Sequence, residues 1–135
     1  MVYIDQLKDL REKRLKLSLE LHLIGEHIIK AESGKIVREH QIKVEFEHEV
    51  QRAIAEIAKV KYSNAERRKV ELDKKYASDL TLNEFIGSLE QFNKCERRLE
   101  CDLTLLKLEE RYLFKEIDIY IAMKNFENAQ IRTGL

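Results

Sequence analysis

The fold is decided by the stretch from Leu82 to Tyr120, which reads LNEFIGSLEQFNKCERRLECDLTLLKLEERYLFKEIDIY. Its apolar residues recur at steps of three and four, so they share one side of a single α-helix, the pattern that makes helices wind around one another. We call this row the heptad seam, and its members are Leu82, Phe85, Leu89, Phe92, Leu99, Leu103, Leu106, Leu113, Ile117 and Tyr120. A helix over residues 82–129 would be about 70 Å long at 1.5 Å per residue. Such a rod needs partner helices.

The composition supports a helical protein. The chain has 135 residues, no proline and only four glycines, and charged residues make up 37 % of it, against about 25 % in an average soluble domain. Because proline is the strongest helix breaker, its absence removes the usual stops. We therefore predict an all-α fold, either an elongated antiparallel helical hairpin or a three-helix coiled coil, that is oligomeric and forms one elongated domain over residues 1–135.

Three helices are predicted, at about 3–32, 36–78 and 82–129, with a break or kink in the second near residue 63. Gly34 suits a C-terminal cap and a tight turn. Ser63-Asn64-Ala65-Glu66 and Thr81-Leu82-Asn83-Glu84 have the form of capping boxes. The first helix carries its own apolar stripe, made of Tyr3, Leu7, Leu10, Leu17, Leu21, Ile24, Ile28 and Ala31.

One segment allows a second interpretation. Residues 41–47, QIKVEFE, alternate with period two, which taken alone indicates a strand. A helical row of Phe46, Val50, Ala53 and Ile57 begins inside it, and no proline or glycine lies nearby. We therefore favour a helix.

Charged residues interrupt the apolar rows at three places. Arg14 breaks the first helix's stripe, and Glu96 and Glu110 fill gaps in the heptad seam. A charge in a helix–helix contact is destabilising unless it meets a partner, and such residues often fix register or oligomer state. We predict that Arg14 pairs with Glu96 or Glu110, within one chain or between two. The alternative is that Arg14 extends into solvent along its aliphatic stem.

The last helix carries more apolar surface than one contact needs. Beside the heptad seam runs a second stripe, which consists of Cys101, Leu105, Leu108, Tyr112, Ile119, Met123 and Phe126. A helix that is apolar on two sides is central to a bundle or buried in an assembly. Self-association is therefore expected. The residues predicted for the oligomer interface are Leu99, Leu103, Leu106, Leu113, Ile117 and Tyr120.

Nothing in the sequence indicates catalysis, so we predict a protein that is not an enzyme, with no cofactor, metal or small-molecule substrate. The four histidines do not form an HExxH motif, and the chain has no CxxC motif and no phosphate-binding loop. Glu45-x-x-His48 has the spacing of a di-iron ligand pair, but it has no second copy on another helix.

Charge and cysteine content indicate the compartment. The formal net charge is zero, so the molecule as a whole is not strongly cationic. Cys95 and Cys101 are too far apart on one straight helix to form a disulfide, and they are predicted to be small buried residues in a reducing compartment. The charged N-terminus lacks the pattern of a secretory signal. No stretch is long and apolar enough to span a membrane. We expect a cytoplasmic protein.

The region from Ser63 to about Leu108, in which Ser63-Asn64-Ala65-Glu66-Arg67-Arg68 precedes Val70, Leu72 and Asp73, resembles small helical accessory proteins of tailed phages. It looks most like the recombination mediators that bind single-stranded DNA and load a strand-exchange protein. The resemblance implies a viral oligomer, inside an infected host cell, with a groove for single strands and a recombinase as partner. The residues it assigns to nucleic-acid binding are Arg67, Arg68, Lys69, Lys74 and Lys75, with Tyr62 and Tyr76 as stacking partners. The interleaved glutamates depart from a strongly basic groove.

Three classes of function therefore compete. The first is a helical interaction or assembly protein, in its specific form a single-stranded-DNA mediator or adaptor. The second is a coiled-coil scaffold or chaperone-like protein that holds a protein partner along the second stripe. The third is an acidic helical inhibitor of a host protein that uses Glu39, Glu45, Glu47 and Glu49.

Overall fold

A computed structural model describes residues 2–55 and 64–134 of the chain. Helix α1 runs over Val2–Ala55, α2 over Ala65–Ser78 and α3 over Leu80–Arg132. Only residues 64, 79, 133 and 134 of the described part lie outside these helices, and that part contains no strand. The all-α prediction is confirmed. For residues 41–47 the structure has helix, so the strand interpretation is wrong.

The predicted break between residues 32 and 36 is wrong, because α1 passes through it without interruption. Gly34 is not a left-handed cap: among the described residues only Gly134 has a positive φ, of 74°. Instead, the Phe85 ring of α3 lies directly against the Gly34 backbone, so a Cβ there would come within 2.9 Å of three ring atoms. Glycine at this position permits a close helix–helix approach rather than a turn.

The start of α2 agrees with the predicted restart of the helix after residue 63. The cap is Asn64, whose side-chain oxygen accepts a hydrogen bond of 2.8 Å from the backbone N–H of Arg67. An N-cap of this kind stabilises a helix by about 1 kcal/mol. Ser63 itself lies outside the described residues. Helix α3 begins at Leu80, two residues before the predicted start, and it ends at Arg132.

The chain divides into two compact units. Unit 1 comprises Met1–Leu23 and Glu96–Leu135, and unit 2 comprises Ile24–Cys95. Helices α1 and α3 each contribute a segment to both units.

Unit 1 is an antiparallel pair of helix segments. Its core consists of Leu10 of α1 with Leu106 and Leu113 of α3, all less than a tenth exposed. Four partly buried residues pack against this core, namely Tyr3, Leu7, Leu17 and Ile117. The rings of Tyr3 and Tyr120 meet edge to face, with centroids 5.8 Å apart. The start of the α1 stripe and the second half of the heptad seam therefore meet within one chain.

Unit 2 packs α2 and the first part of α3 against the middle and end of α1. One core cluster holds Phe46, Val50 and Ala53 of α1, with Leu72 of α2 packed against it. On α3, Leu82 is only 2 % exposed. Further along α3, the Phe92 ring stacks on His27 of α1 with centroids 5.3 Å apart. On α1 and α3 these contacts use residues of the predicted apolar rows or their immediate neighbours, and Leu72 of α2 is an addition to them.

Asp79, the residue between α2 and α3, joins all three helices. Its backbone N–H donates to the carbonyl of Tyr76, which caps the C-terminal end of α2. Its Oδ2 accepts a hydrogen bond of 2.8 Å from the backbone N–H of Leu82, which caps the N-terminal end of α3. Both carboxylate oxygens also accept from Arg38 of α1, Oδ1 from Nη2 at 2.6 Å and Oδ2 from Nε at 2.9 Å. These hydrogen bonds lower the pKa of Asp79 to about 2, and the bond from Arg38 has a larger effect than the one from the Leu82 amide. The same side-chain hydrogen bond raises the pKa of Arg38.

We predict that Asp79→Asn removes a pH-dependent part of the stability. Because the pKa of Asp79 is about 2 in the folded chain and ordinarily 3.8, its contribution is fully present above pH 3.8 and is lost as the pH falls towards 2. Asparagine keeps an acceptor for the Leu82 amide but loses the charge. Urea unfolding followed by circular dichroism across this window should therefore show a shallower pH slope for the variant than for the parent chain.

The matched control is Asp102→Asn, which changes an exposed aspartate of α3. It should leave the pH slope of the parent chain in place. Equal slopes for Asp79→Asn and the parent chain would contradict the role assigned to this carboxylate.

We also predict that alanine has opposite effects at two glycines of α1. At Gly25 no atom lies within 4 Å of an added Cβ, so Gly25→Ala should stabilise the helix by about 0.5–1 kcal/mol. At Gly34 the added Cβ collides with Phe85, and overpacking typically costs about 1–3 kcal/mol. Chemical unfolding of both variants should rank Gly25→Ala above the parent chain and Gly34→Ala below it. Phe85→Leu should reduce the penalty of Gly34→Ala, and equal stabilisation by both alanines would refute the close contact.

Candidate interaction surfaces

The basic residues assigned to nucleic-acid binding do not form one face. Lys75 pairs with Glu49 of α1 at 2.8 Å, and Lys74 lies 3.4 Å from Glu71 on its own helix. Arg68 donates through Nε to the backbone carbonyl of Asn64 at 3.4 Å. The remaining two, Arg67 and Lys69, are exposed near the start of α2, two residues apart. Two residues are a rotation of about 200° on a helix, so this pair points in nearly opposite directions.

Of the two tyrosines predicted to stack on bases, the structure describes only Tyr76. Tyr62 lies outside the described residues. Tyr76 is half-buried, and this burial raises the pKa of its hydroxyl. The nearby carboxylates of Glu39, Asp73 and Glu47 raise that pKa further, by a smaller amount. An acidic neighbourhood of this kind opposes the approach of a phosphate backbone. Tyr76 is therefore a poor stacking platform for a nucleic acid.

The acidic residues of the inhibitor hypothesis are also dispersed and partly neutralised. Glu49 pairs with Lys75, and Glu39 lies 4.0 Å from Lys35 of its own helix. Glu45 lies close enough to Arg38 to raise that residue's pKa. Glu47 follows Glu45 by two residues, so the two glutamates project from nearly opposite sides of α1. Glu39 and Glu47 both lie near Tyr76, but Glu45 projects from the other side of α1, so the four carboxylates do not form one acidic surface.

The predicted seam pairing is present within the chain. Arg14 of α1 lies 3.2 Å from Glu110 of α3, atom Nη1 to atom Oε2. The Glu110 side chain is 19 % exposed and that of Arg14 is 46 % exposed. A pair this open to solvent contributes about 1 kcal/mol or less, so its main effect is on register rather than on stability. Glu96, the other candidate partner, is half-buried on α3.

The residues predicted to form an oligomer interface belong instead to the intrachain contact of α1 with α3. Leu106 and Leu113 are core residues of unit 1, and Ile117 packs against them. Leu99 and Leu103 are half-buried on the same row, and Tyr120 meets the ring of Tyr3. The physical reason is that α1 carries a matching apolar stripe and covers this row itself.

The second stripe is an apolar row of α3 that the described part of the chain leaves open. Its large members are exposed by 58 % at Leu105, 38 % at Leu108, 65 % at Tyr112, 61 % at Ile119, 59 % at Met123 and 65 % at Phe126. Leu108 follows the core residue Leu106 by two positions, a rotation of about 200°, so the second stripe lies on the side of α3 away from α1.

The end of α3 is exposed on both sides. Tyr120 lies opposite Tyr3, and α1 begins at Val2, so residues 122–132 continue past the end of the α1 segment in unit 1. Met123 and Phe126 on the second stripe are exposed there, and so is Ile131, at 76 %. Monomeric soluble proteins rarely leave a contiguous apolar row of this length open, and such rows mark contacts with other molecules.

The prediction that both cysteines are buried is wrong. Cys95 and Cys101 are free thiols on exposed positions of α3. Cys101 is exposed because it belongs to the second stripe, whose apolar pattern suggested burial but which none of the described helices covers.

Residues 2–55 and 64–134 contain no group of three or more His, Cys, Asp or Glu side chains placed to hold a metal ion. Within the same described ranges, no helix has the length and apolar character needed to cross a membrane.

Comparisons with known proteins add no relative to this description. No family model matches the chain, and no curated protein or solved structure is significantly similar to it.

Proposed function

We propose that this chain is a non-enzymatic helical assembly protein whose working surface is the second stripe of α3 and whose first partner is another copy of itself. The observation that carries the proposal is the exposure of that stripe on the side of α3 opposite its intrachain partner α1. The heptad seam on the same helix is covered by α1, so the two apolar rows have different partners. A helix that is apolar on two sides is typical of the centre of an assembly.

The magnitudes favour a self-association of moderate strength. Burying one large aliphatic or aromatic side chain is worth about 1.5–3 kcal/mol. The six large members of the second stripe are between 38 % and 65 % exposed, so two copies would gain on the order of 10–20 kcal/mol by covering them. Association itself costs about 4–15 kcal/mol in lost freedom. The balance supports a dimer that dissociates on dilution.

We predict that Ile119→Glu breaks this dimer. Ile119 lies within the second stripe and is 61 % exposed, so a carboxylate there costs the monomer little but would be buried unpaired in the dimer. Light scattering over a concentration series should show dimer for the parent chain and monomer for the variant, with circular dichroism showing that both remain helical.

The control variant is Ile29→Glu, which places the same change on a 64 % exposed isoleucine of α1. It should leave the dimer intact. Equal loss of association in both variants would contradict the assignment to the second stripe. A parent chain that is monomeric at every concentration would remove self-assembly altogether, and binding to unfolded polypeptides would then favour the chaperone-like alternative.

A second candidate function, an assembly that also binds single-stranded DNA, has one supporting observation. Arg67, Arg68 and Lys69 are consecutive exposed residues at the start of α2, where they are spread around the helix end rather than gathered on one face. The positive end of a helix dipole adds to their charge there, and helix N-termini bind phosphate groups readily. The ion pairs of Lys74 and Lys75, and the acidic surroundings of Tyr76, restrict the site to this one turn. Recognition would be electrostatic and independent of sequence.

We predict that binding of a labelled single-stranded oligonucleotide, measured by fluorescence anisotropy at low salt, is lost in the triple variant Arg67→Ala/Arg68→Ala/Lys69→Ala. The matched control removes the same three charges from exposed positions of α3, as Lys94→Ala/Arg97→Ala/Arg98→Ala, and should retain binding. Binding should weaken steeply as salt is added. Absence of binding by the parent chain, or equal loss in both triple variants, would contradict the α2 site and leave the self-assembly proposal standing.

A further inference from the structure

We infer that the second stripe joins two copies of this chain in parallel, with a two-fold axis running along α3. The inference rests on the proposed self-assembly and specifies its geometry. The charges along the two edges of the stripe carry the inference, and Cys101 provides its test.

The apolar spacing alone permits two orientations. Leu105, Leu108 and Tyr112 are separated by three and four residues, and Ile119, Met123 and Phe126 repeat these steps in reverse order. An antiparallel pair centred between residues 115 and 116 would therefore match Leu105 with Phe126 and Tyr112 with Ile119. A parallel pair would match every residue with its own copy. Both arrangements bury the same side chains, so packing does not decide between them.

The charges along the two edges of the stripe favour the parallel orientation. At 100° per residue, Arg111 and Lys115 flank one edge, while Glu109 and Glu116 flank the other. In an antiparallel helix pair each edge faces the same edge of the partner, which would set glutamate against glutamate and cation against cation. In a parallel pair each edge faces the opposite one, as in parallel coiled coils, where such flanking charges select the orientation.

The individual positions fit this pairing. Arg111 precedes Glu116 by five residues, which is the separation of the flanking residues that pair across a parallel two-stranded coil. Lys115 lies over the Tyr112 ring of its own chain, with its Nζ 5.9 Å from the ring centroid. Lys115 itself continues the three- and four-residue steps between Tyr112 and Ile119, so the pairing across the edges is carried by Arg111 and Glu116.

Disulfide formation at Cys101 distinguishes the two orientations. It is an exposed free thiol on the second stripe, so in the parallel pair it would face the Cys101 of the other copy. In the antiparallel pair it would face Gln130, and the two Cys101 residues would be about 44 Å apart at 1.5 Å per residue. A disulfide requires Cα atoms within about 7 Å of each other, so only the parallel pair can link Cys101 to itself.

The experiment uses the full chain with Cys95→Ser and Gln130→Cys, so that positions 101 and 130 carry the only thiols. After mild oxidation, a non-reducing gel and mass spectrometry of the linked peptides identify the bond. We expect a covalent dimer of twice the chain mass that contains a 101–101 link. Adding Cys101→Ser should abolish that link, and adding Ile119→Glu should reduce the yield of covalent dimer several-fold.

Three other outcomes would contradict the parallel orientation or the proposed self-assembly. A 101–130 link would overturn the parallel orientation and establish the antiparallel one. A dimer by light scattering without a 101–101 link would also overturn the parallel orientation, while leaving self-assembly in place. A chain that is monomeric before oxidation at every concentration would overturn the proposed function as well.

Discussion

The carboxylate of Asp79 is the constraint on which the arrangement of unit 2 depends. A single residue ends α2 and begins α3, so the chain has no loop in which to absorb an error in direction. The two carboxylate oxygens hold the Arg38 guanidinium in a bidentate pair while one of them also caps α3. Because guanidinium and carboxylate are both planar, this pairing fixes orientation as well as distance. The start of α3 is thereby held against α1, and Leu82 is brought to its buried position three residues later.

The heptad pattern predicted most of the buried residues of α1 and α3, because a 3.6-residue period is a local property of the sequence. The pairing of Arg14 with Glu110 was also predictable, since opposite charges that interrupt two apolar rows are complementary by chemistry alone. Asp79 carried a signal that was missed: aspartate is among the best N-cap residues, and an apolar run follows it. The capping box at Thr81, two residues further on, is a weaker signal. The predicted helix start at residue 82 followed that box rather than Asp79.

The role of Gly34 could not be predicted, because it depends on a residue distant in sequence. A glycine followed by lysine is a common helix end, and nothing local reveals that the Phe85 ring occupies the space of the missing side chain. The same limit explains the misplaced oligomer interface. Periodicity shows that Leu106 and Leu113 need a partner, but it does not show whether the partner belongs to the same chain. Only the packed structure shows that Leu10 supplies that contact and that the described helices leave the second stripe exposed.

An uncovered apolar row poses a problem of specificity as well as of solubility. Exposed apolar side chains attract any other apolar surface, and the second stripe contains nothing that by itself selects its partner. Lys115 and Glu116 interrupt the stripe at its middle, and Glu109 and Arg111 extend the charge along its two edges. Such charges weaken the contact with an arbitrary apolar surface, because they must be desolvated there without a counter-charge. Against a second copy in the same direction Arg111 meets Glu116 of the other chain. The charges that weaken contact with other apolar surfaces therefore also make the stripe selective for itself.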